Sequence, residues 1–385
     1  LFLFLFPLFF LQAQQENVIE NILSQLSIEE KIAMCHAQSK FTSPGVPRLG
    51  IPELSMSDGP HGIRPEINWD DWGYANWTND YVTAFPALTC LAATFNPDLS
   101  LEYGISIGEE ARYRKKDVLL GPGINIYRTP LNGRIFEYMG EDPYLASEMV
   151  VPYIQGVQKN GVAACVKHYA LNNQEHWRGH INVEVSDRAL HEIYLPAFKA
   201  AVVQGNAWAI MGSYNKFREQ HCCHNDLLLN KILKESWGFD GVVISDWGGV
   251  HDTDQAIYNG LDIEMGTPSD KSYSKRYPYN SNFLGNPFLK KIIEGKVEET
   301  LLDDKVRRIL RLMLRTSLNK NRPFGSINNK QHYETAYKVA SEGVVLLKNT
   351  EDFLPIDKSK QIKIAVIGEN AKKSMNVGGG SSELK

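Results

Sequence analysis

The chain has 385 residues, of which 43% are hydrophobic and 22% charged, a composition that excludes an intrinsically disordered chain, a collagen and a coiled coil. Lys and Arg number 41 against 45 Asp and Glu, so the formal charge of −4 gives no general attraction for nucleic acid or an anionic membrane. The five cysteines are irregularly spaced and form no C-x-x-C pair, which argues against a disulfide framework and a structural zinc site. We expect a small or neutral partner.

The first segment, residues 1–13, is the apolar run LFLFLFPLFFLQA, which ends where a polar stretch begins. Such a run predicts the remnant of a secretory signal, and with it a secreted or periplasmic protein. It is shorter than the roughly 17 to 25 apolar residues that span a bilayer, so we expect no membrane span. A short buried hydrophobic helix is the alternative interpretation.

Further along, Ser27 and Glu30 have the spacing of a capping box and predict the start of a helix. After it, one arrangement recurs: a helical stretch, a glycine and a short strand rich in β-branched residues. Alternation of this kind predicts a parallel sheet covered by helices. The four repeats lie at residues 144–168, 187–214, 226–247 and 252–265.

Each of these apolar strands ends in polar or aromatic side chains, which are Lys167 and His168, Tyr214 and Asn215, Asp246 and Trp247, and Glu264 and Met265. In a (β/α)8 barrel the carboxyl ends of all strands meet on one face, where catalytic residues collect. An open doubly wound sheet would bind its ligand at a topological switch point, often through a phosphate-binding turn, and no G-x-G-x-x-G or Walker segment is present. We therefore predict an α/β fold with a (β/α)8 TIM-like barrel over residues 16–316.

The remaining stretches predict connections and a second domain. Residues 266–287 are expected to form a long rim loop, and residues 317–335 a linker. Residues 336–385 contain the alternating run IKIAVIG at 362–368, which predicts a strand, and a glycine-rich turn at 378–380. We expect this part to be the incomplete start of a further α/β domain.

Asp246 is the sharpest candidate for chemistry, because it closes an apolar strand and precedes an aromatic residue and two glycines. An Asp after a strand also commonly caps the next helix, and that interpretation stays open. Asp58, Arg134, Lys167 and His168 are the other candidates. A carboxylate can accept from adjacent hydroxyls while the basic side chains donate, which suits a polyhydroxylated ligand.

Two further points stay open. Arg134 could instead form a salt bridge with Glu137, Glu141 or Asp142. Trp247 and an aromatic loop could supply flat platforms for sugar rings, although that loop could equally be a surface flap that packs its own aromatic side chains. The aromatic residues of this loop are Trp69, Trp72, Tyr74 and Trp77.

The motifs LSMSDGPHGIR, GPGINIYRTPLNGRIFEYMGEDPYLAS, CVKHYALNNQE, VEVSDRALHEIYLPAF, MGSYN and LKESWGFDGVVISDWGGVHDT occur in this order. They resemble the successive motifs of glycoside hydrolase family 3, in particular its β-glucosidase and β-xylosidase branch, from about Ile28 to Gly266. The resemblance implies a retaining exo-acting β-glycosidase for terminal β-D-glucosyl or xylosyl residues. It also implies a (β/α)8 barrel followed by an α/β sandwich.

Residue by residue, the resemblance makes Asp246 the nucleophile that forms a covalent glycosyl intermediate. It implies that four residues hold the sugar hydroxyls and that three more contact the sugar; the first set is Asp58, Arg134, Lys167 and His168, and the second is Arg178, Tyr214 and Trp247. A nearby Arg or Lys is expected to lower the pKa of Asp246 through its opposite charge. We expect no cofactor and no metal ion.

A retaining mechanism needs a second carboxyl group about 5 to 5.5 Å from the nucleophile. In the family that Glu comes from the second domain, further on than residue 385, and Glu383 precedes the segment concerned, so it is not assigned. We therefore expect the 385-residue chain to be inactive or nearly so and the full-length protein to be active. Turnover of an aryl glucoside by the 385-residue chain at the rate of a longer protein would contradict this.

Three alternatives remain. The β-N-acetylglucosaminidase branch of the family uses a His on a barrel loop, and His176 and His180 lie near that region, but the segment lacks the expected Pro-Gly. A non-catalytic carbohydrate-binding barrel would need no strand-end nucleophile. Comparing the rates of hydrolysis of an aryl N-acetylglucosaminide and an aryl glucoside distinguishes the acetylglucosaminidase from a glucosidase. Unchanged hydrolysis after Asp246→Asn would favour the non-catalytic binding barrel. A metal-dependent barrel hydrolase, testable by metal content, would use the scattered histidines His61, His168, His176, His180 and His251.

Overall fold

The computed structural model describes residues 14–266, 278–373 and 379–385. The predicted signal remnant at 1–13 lies outside them, as do residues 267–277 of the predicted rim loop. The described chain begins in a helix, α1, over 14–23. The predicted capping box is confirmed, because Ser27 Oγ accepts from the backbone N–H of Glu30 while Glu30 Oε2 accepts from that of Ser27 at 2.9 Å.

Short strands separated by helices make up the chain from residue 28 onward. The strands are β1 Thr42–Ser43, β2 Leu54–Asp58, β3 Val118–Leu120, β4 Ala163–Tyr169, β5 Asn182–Val183, β6 Ala209–Gly212, β7 Lys216–Phe217, β8 Gln220–His221 and β9 Val242–Ile244. The helices are α2 Ile28–Met34, α3 Leu88–Ala92, α4 Pro97–Tyr113, α5 Pro143–Gln158, α6 Asp187–Ala189, α7 Pro196–Val203, α8 Thr253–Tyr258, α9 Asn286–Ile293, α10 Glu299–Arg315 and α11 Lys330–Glu342. Two π-helical stretches cover Leu190–Tyr194 and Leu227–Ser236.

The main sheet has the strand order β1-β2-β3-β4-β6-β9, and the pairs from β2 to β9 are parallel. Single parallel bridges join Ile244 to Ile263 and Glu264 to His36, and they carry the sheet round to the segment before β1. The result is a mixed α/β fold of the TIM-like barrel kind. It places the carboxyl ends of the parallel strands on one face, which is where a barrel gathers its site.

The first strand departs from a regular (β/α)8 pattern, because β1 pairs with β2 in antiparallel orientation. Only residues 44–53 connect the two strands. A parallel crossover needs a dozen or more residues, whereas a shorter connection returns the chain alongside itself. The predicted strand at 261–265 also reduces to the single bridges of Ile263 and Glu264.

The helices α4 and α5 pack at close range on the outside of the sheet, with glycines at the contact. A Cβ built on Gly104 would lie 2.2 Å from the carbonyl oxygen of Tyr153, and one on Gly156 would lie 2.6 Å from that of Leu101. Only residues without a side chain permit this separation. No helix among the described residues is both long and apolar enough to cross a membrane.

Residues 362–368 do not form the predicted strand. Their backbone is irregular and their side chains are exposed, with Ile364 at 68% and Ile367 at 89%. A strand needs a neighbour for its hydrogen bonds and a surface on which to bury one face, and the described residues provide neither here. Of the predicted glycine-rich turn, Gly378 lies outside the described residues, and Gly379 pairs with Ser382 in a tight turn.

The last helix, α11, begins at Lys330, inside the range predicted as a linker, and it packs against α4. Its side-chain anchor is His332, which is 0% exposed. His332 Nδ1 lies 2.9 Å from Glu110 Oε1, and Nε2 lies 2.9 Å from Glu109 Oε2. Burial opposes the charged imidazole, but the two carboxylates outweigh it and raise the pKa of His332 above 6.5.

This anchor makes a stability contribution that depends on pH. A raised pKa means that the contribution is complete below the pKa of the unfolded chain and is lost as the pH rises through the folded pKa. We expect His332→Gln to lower the free energy of unfolding by about 3 kcal/mol near pH 5.5, because removing one partner of a buried ion pair leaves the other unpaired. Near pH 9 the difference should be smaller. Urea unfolding at the two pH values measures these free energies, with the exposed His176→Gln variant as control. The same difference between wild type and His332→Gln at both pH values would contradict the prediction.

Candidate active site

All eight residues predicted from the sequence line one pocket with a volume of about 530 Å³. It opens at the carboxyl ends of β2, β4, β6 and β9. The eight are Asp58, Arg134, Lys167, His168, Arg178, Tyr214, Asp246 and Trp247. Of the other predicted strand-end groups, Glu264 and Asn215 do not line it. Glu264 is buried elsewhere, accepts from the backbone N–H of Leu284, and has its pKa raised by burial to about 7.

Asp246 has one oxygen engaged and one oxygen free. Its Oδ1 accepts from the backbone N–H of Trp247 at 2.9 Å. Its Oδ2 is buried and has no donor in hydrogen-bonding geometry among the described residues; the nearest basic group is His168 Nε2 at 3.6 Å. The Tyr214 hydroxyl is also close enough to the carboxyl group to lower its pKa. The open question of helix capping is resolved, because Asp252 caps α8 by accepting from the backbone N–H of Gln255. Asp246 is therefore left facing the pocket.

Burial raises the pKa of Asp246, against the opposing effect of the Arg134 and Arg178 guanidinium groups and the Trp247 amide. The sequence-based expectation of a lowered pKa considered the nearby positive charges but not the loss of water around a carboxylate that is only 7% exposed. The charges of Arg134 and Arg178 do lower the pKa of Asp246 as expected, but burial outweighs them and the net shift is upward. The positive charges limit the increase and so favour the ionised form that a nucleophile needs.

His168 is held as a neutral imidazole at the end of β4. Burial lowers its pKa well below the ordinary value, and the charges of Arg134 and Lys167 add to the effect. Its Nδ1 lies 3.1 Å from the Tyr138 hydroxyl. The side chain of Asn125 both donates to the His168 carbonyl at 2.9 Å and accepts from its backbone N–H at 2.8 Å. These contacts direct Nε2 towards Asp246.

A second side of the pocket is formed by five charged residues, in which basic and acidic side chains alternate. Arg64 Nη1 lies 3.0 Å from Asp58 Oδ2, and Lys167 Nζ lies 3.8 Å from Asp58 Oδ1. Arg134 and Lys167 both contact the carboxylate of Glu137 beneath the pocket. The two interpretations of Arg134 therefore hold together, since it forms the salt bridge with Glu137 and still lines the pocket.

On the opposite wall, contacts with neighbouring residues hold the aromatic side chains in place. The Arg178 guanidinium lies 4.3 Å from the ring centroid of Tyr214, whose hydroxyl donates to the Trp247 carbonyl at 3.0 Å. The Trp247 indole donates from Nε1 to the Lys40 carbonyl at 2.7 Å and packs on Phe41 with ring centroids 5.3 Å apart. The indole is thus held at one orientation against the core.

One part of the wall that sequence reasoning did not assign comes from residues 379–385. Gly379, Gly380 and Ser381 line the pocket, and Arg134 Nη2 donates to Ser381 Oγ at 3.2 Å. The glycine-rich turn predicted at 378–380 was the sequence signal in this segment. Arg64 also lines the pocket. Of the predicted aromatic loop, Trp72 lines the pocket, whereas Trp69 and Trp77 are exposed and do not line it.

Residues 379–385 are seated on the barrel by further contacts. Tyr74 donates from its hydroxyl to Glu383 Oε1 at 2.5 Å. Leu384 is 7% exposed and packs against Gly62, where an added Cβ would lie 2.7 Å from Leu384 Cδ2. A side chain at position 62 would therefore push this segment outward.

Of the histidines in the alternative interpretations, His168 lines the pocket, but the two that the acetylglucosaminidase interpretation needs do not. His176 and His180 do not line the pocket and sit in a turn at 176–180. Across 14–266, 278–373 and 379–385, no group of three or more His, Cys, Asp or Glu side chains is arranged to hold a metal ion.

The fold and this pocket are those of a family of glycosidases. The chain belongs to glycosyl hydrolase family 3, since residues 53–312 match the N-terminal domain of that family and residues 344–385 match its C-terminal domain. The family resemblance predicted from the motifs is thereby confirmed.

Individual relatives and a solved structure are also similar to this chain. The chain is 62% identical to beta-glucosidase BoGH3A of Bacteroides ovatus over 373 residues, which cover 95% of this chain and 50% of the relative. It is 39% identical to thermostable beta-glucosidase B of Acetivibrio thermocellus, covering 95% and 46%. The structure of beta-glucosidase 3B from Thermotoga neapolitana in complex with α-D-glucose matches with a TM-score of 0.85 at 35% identity, covering 96% of this chain and 52% of that one. The chain spans about half the length of these relatives.

The electrostatics of Asp246 predict a pH effect. Removing the Arg178 charge with Arg178→Gln takes away one of the groups that oppose burial, so the pKa of Asp246 should rise further. We expect the acidic limb of kcat/KM for an activated dinitrophenyl β-D-glucoside to move to higher pH by about one unit. Arg188→Gln, at an exposed arginine paired with Glu192, is the matched control and should leave the profile in place. An unmoved limb in the Arg178 variant would contradict this.

Proposed function

We propose that the protein is a retaining, exo-acting β-glycosidase that hydrolyses terminal β-D-glucosyl residues through a covalent bond to Asp246. The observation that carries the proposal is the buried Oδ2 of Asp246, which faces the pocket without a hydrogen-bond partner among the described residues. Leaving a buried carboxylate oxygen unsatisfied costs free energy, so such an oxygen is typical of a group that reacts. The names of the beta-glucosidase relatives support glucose as the sugar.

In the proposed reaction, Asp246 Oδ2 attacks the anomeric carbon while the bond to the leaving-group oxygen breaks. Water then attacks the glycosyl ester, and the sugar is released with its original anomeric configuration. Burial favours this step, because a weakly hydrated carboxylate next to a fixed array of charges needs little reorganisation. Positive charge that develops on the sugar ring lies beside the Asp246 carboxylate.

Binding of the sugar falls to the remaining pocket residues. Asp58 accepts from hydroxyls, while Arg134 and Lys167 donate to them, and bonds of this charge-assisted kind are about twice as strong as neutral ones. His168 donates as a neutral imidazole. Arg178, Tyr214 and Trp247 make further contacts. The pocket, of about 530 Å³, is large enough to hold a terminal sugar residue.

The proton for the leaving group has to come from another carboxyl. The two other carboxylates that line the pocket are already paired, Asp58 with Arg64 and Glu175 with Arg178. We propose that the acid is a Glu of the family's second domain, which in full is an α/β sandwich following a (β/α)8 barrel. We also propose that the protein is exported, on the strength of the apolar run at residues 1–13.

Trapping the intermediate tests this assignment. A 2-deoxy-2-fluoro-β-D-glucoside with a good leaving group forms the glycosyl ester quickly and releases it slowly, so a peptide containing Asp246 should gain the mass of the fluoroglucosyl group. Asp246→Asn should lower kcat for an aryl glucoside by about 10⁴-fold or more. Asp252→Asn is the matched control, because Asn also caps a helix and activity should stay within about twofold.

Two results would count against the proposal. Label on a different residue would reassign the nucleophile. An unchanged rate in the Asp246 variant, with glucose still bound, would favour the non-catalytic carbohydrate-binding barrel.

A further inference from the structure

The side chain of Glu137 lies beneath the pocket and contacts three residues that line it. Glu137 Oε1 accepts from Ser381 Oγ at 2.7 Å and lies 2.8 Å from Lys167 Nζ. Glu137 Oε2 accepts from Arg134 Nε at 2.6 Å. The residue is 0% exposed and does not itself line the pocket. Both oxygens are therefore used, and neither contacts the space where a sugar would bind.

Charge explains why a carboxylate stands at this position. Arg134 is 8% exposed and Lys167 is 1% exposed, so both cations need a close counter-charge. The other carboxylate near Lys167, that of Asp58, is 3.8 Å away and is closer to Arg64. Burial opposes ionisation of Glu137, but Lys167 and Arg134 hold its pKa well below the ordinary value.

The backbone around Glu137 is fixed as well. A Cβ built on Gly123, next to β3, would lie 2.7 Å from the Glu137 carbonyl oxygen and 2.7 Å from Cδ1 of Tyr138. The glycine lets the Glu137 loop sit directly against the strand, and a larger residue would displace it. Because the loop packs closely at this point, we infer that the Glu137 carboxylate gives a fixed contact to the long side chains of Arg134 and Lys167.

We propose that Glu137 is a positioning residue of this pocket, whose carboxylate sets the places of Arg134 and Lys167 at the sugar and joins residues 379–385 to the barrel. The inference rests on the proposed β-glycosidase function, since it concerns how the side chains that bind the sugar are positioned. Glu137 acts only through the three residues that it contacts.

The test compares two variants with the same chemical change. Glu137→Gln keeps the shape but cannot accept from both cations without turning its amide N–H groups towards one of them. In the full-length protein, we expect kcat/KM for an aryl β-glucoside to fall about 100-fold, the effect of a displacement of about 1 Å, mainly through a higher KM. Glu141→Gln, four residues further on at an exposed position, should match the wild type.

A set of monodeoxy glucosides separates positioning from loss of folded protein. In the wild type, removing a hydroxyl that Arg134 or Lys167 binds should lower kcat/KM strongly. In Glu137→Gln, removing the same hydroxyl should lower kcat/KM far less. A merely structural defect would instead lower all substrates by one factor. Hydrogen exchange adds a second readout, since amides of 379–385 should exchange faster in Glu137→Gln than in Glu141→Gln.

If Glu137→Gln fails to fold, Glu137→Asp keeps the charge but not the reach, and the same deoxy-sugar comparison applies to it. Wild-type kinetics in these variants, or a uniform loss across the sugars without faster exchange of 379–385, would overturn the inference. Failure of the proposed function is distinguishable, because it would show as absence of the fluoroglucosyl label on Asp246 in the wild type.

Discussion

The structure around the pocket depends on the balance of charges that are largely removed from water. Four basic side chains and four acidic ones meet where the strands end, and a buried charge without a partner would cost several kcal/mol. Each basic group has an acidic neighbour, and among the four carboxylates only Asp246 has an oxygen, Oδ2, that is buried without a hydrogen-bond partner among the described residues. Arg64 Nε is buried without a partner as well, but it is a cationic donor, so Oδ2 is the one unpaired atom of this network that could attack an anomeric carbon. The eight side chains are Arg64, Arg134, Lys167 and Arg178, and Asp58, Glu137, Glu175 and Asp246.

Much of the fold and of the site could be predicted from the sequence, because the relevant signals are local. A run such as VVISDW, following a helical stretch and a glycine, specifies both a buried strand and the residue at its end. The parallel arrangement then brings Asp58, Lys167 and Asp246 together, although they are far apart in the chain. The family motifs added Arg178, which lies on a loop where periodicity carries no information.

What could not be predicted depends on contacts between distant segments. Nothing in the residues around Glu137 distinguishes a carboxylate shared by Arg134, Lys167 and Ser381 from an ordinary local salt bridge. The pKa of Asp246 depends on burial, which the sequence does not measure. Likewise, a β-branched run such as 362–368 becomes a strand only when a neighbouring strand pairs with it, so its pattern alone was insufficient.

The seating of residues 379–385 has a consequence for the order in which the molecule assembles. The bond between Ser381 and Glu137 closes a loop of 244 residues, and the entropic penalty of closure grows with the length of the intervening chain. Contacts of such long range form slowly compared with those inside one helix–strand unit. During refolding, this side of the pocket would therefore be completed together with the other long-range contacts, such as that between Lys31 and Glu299, and after the single helix–strand units have formed.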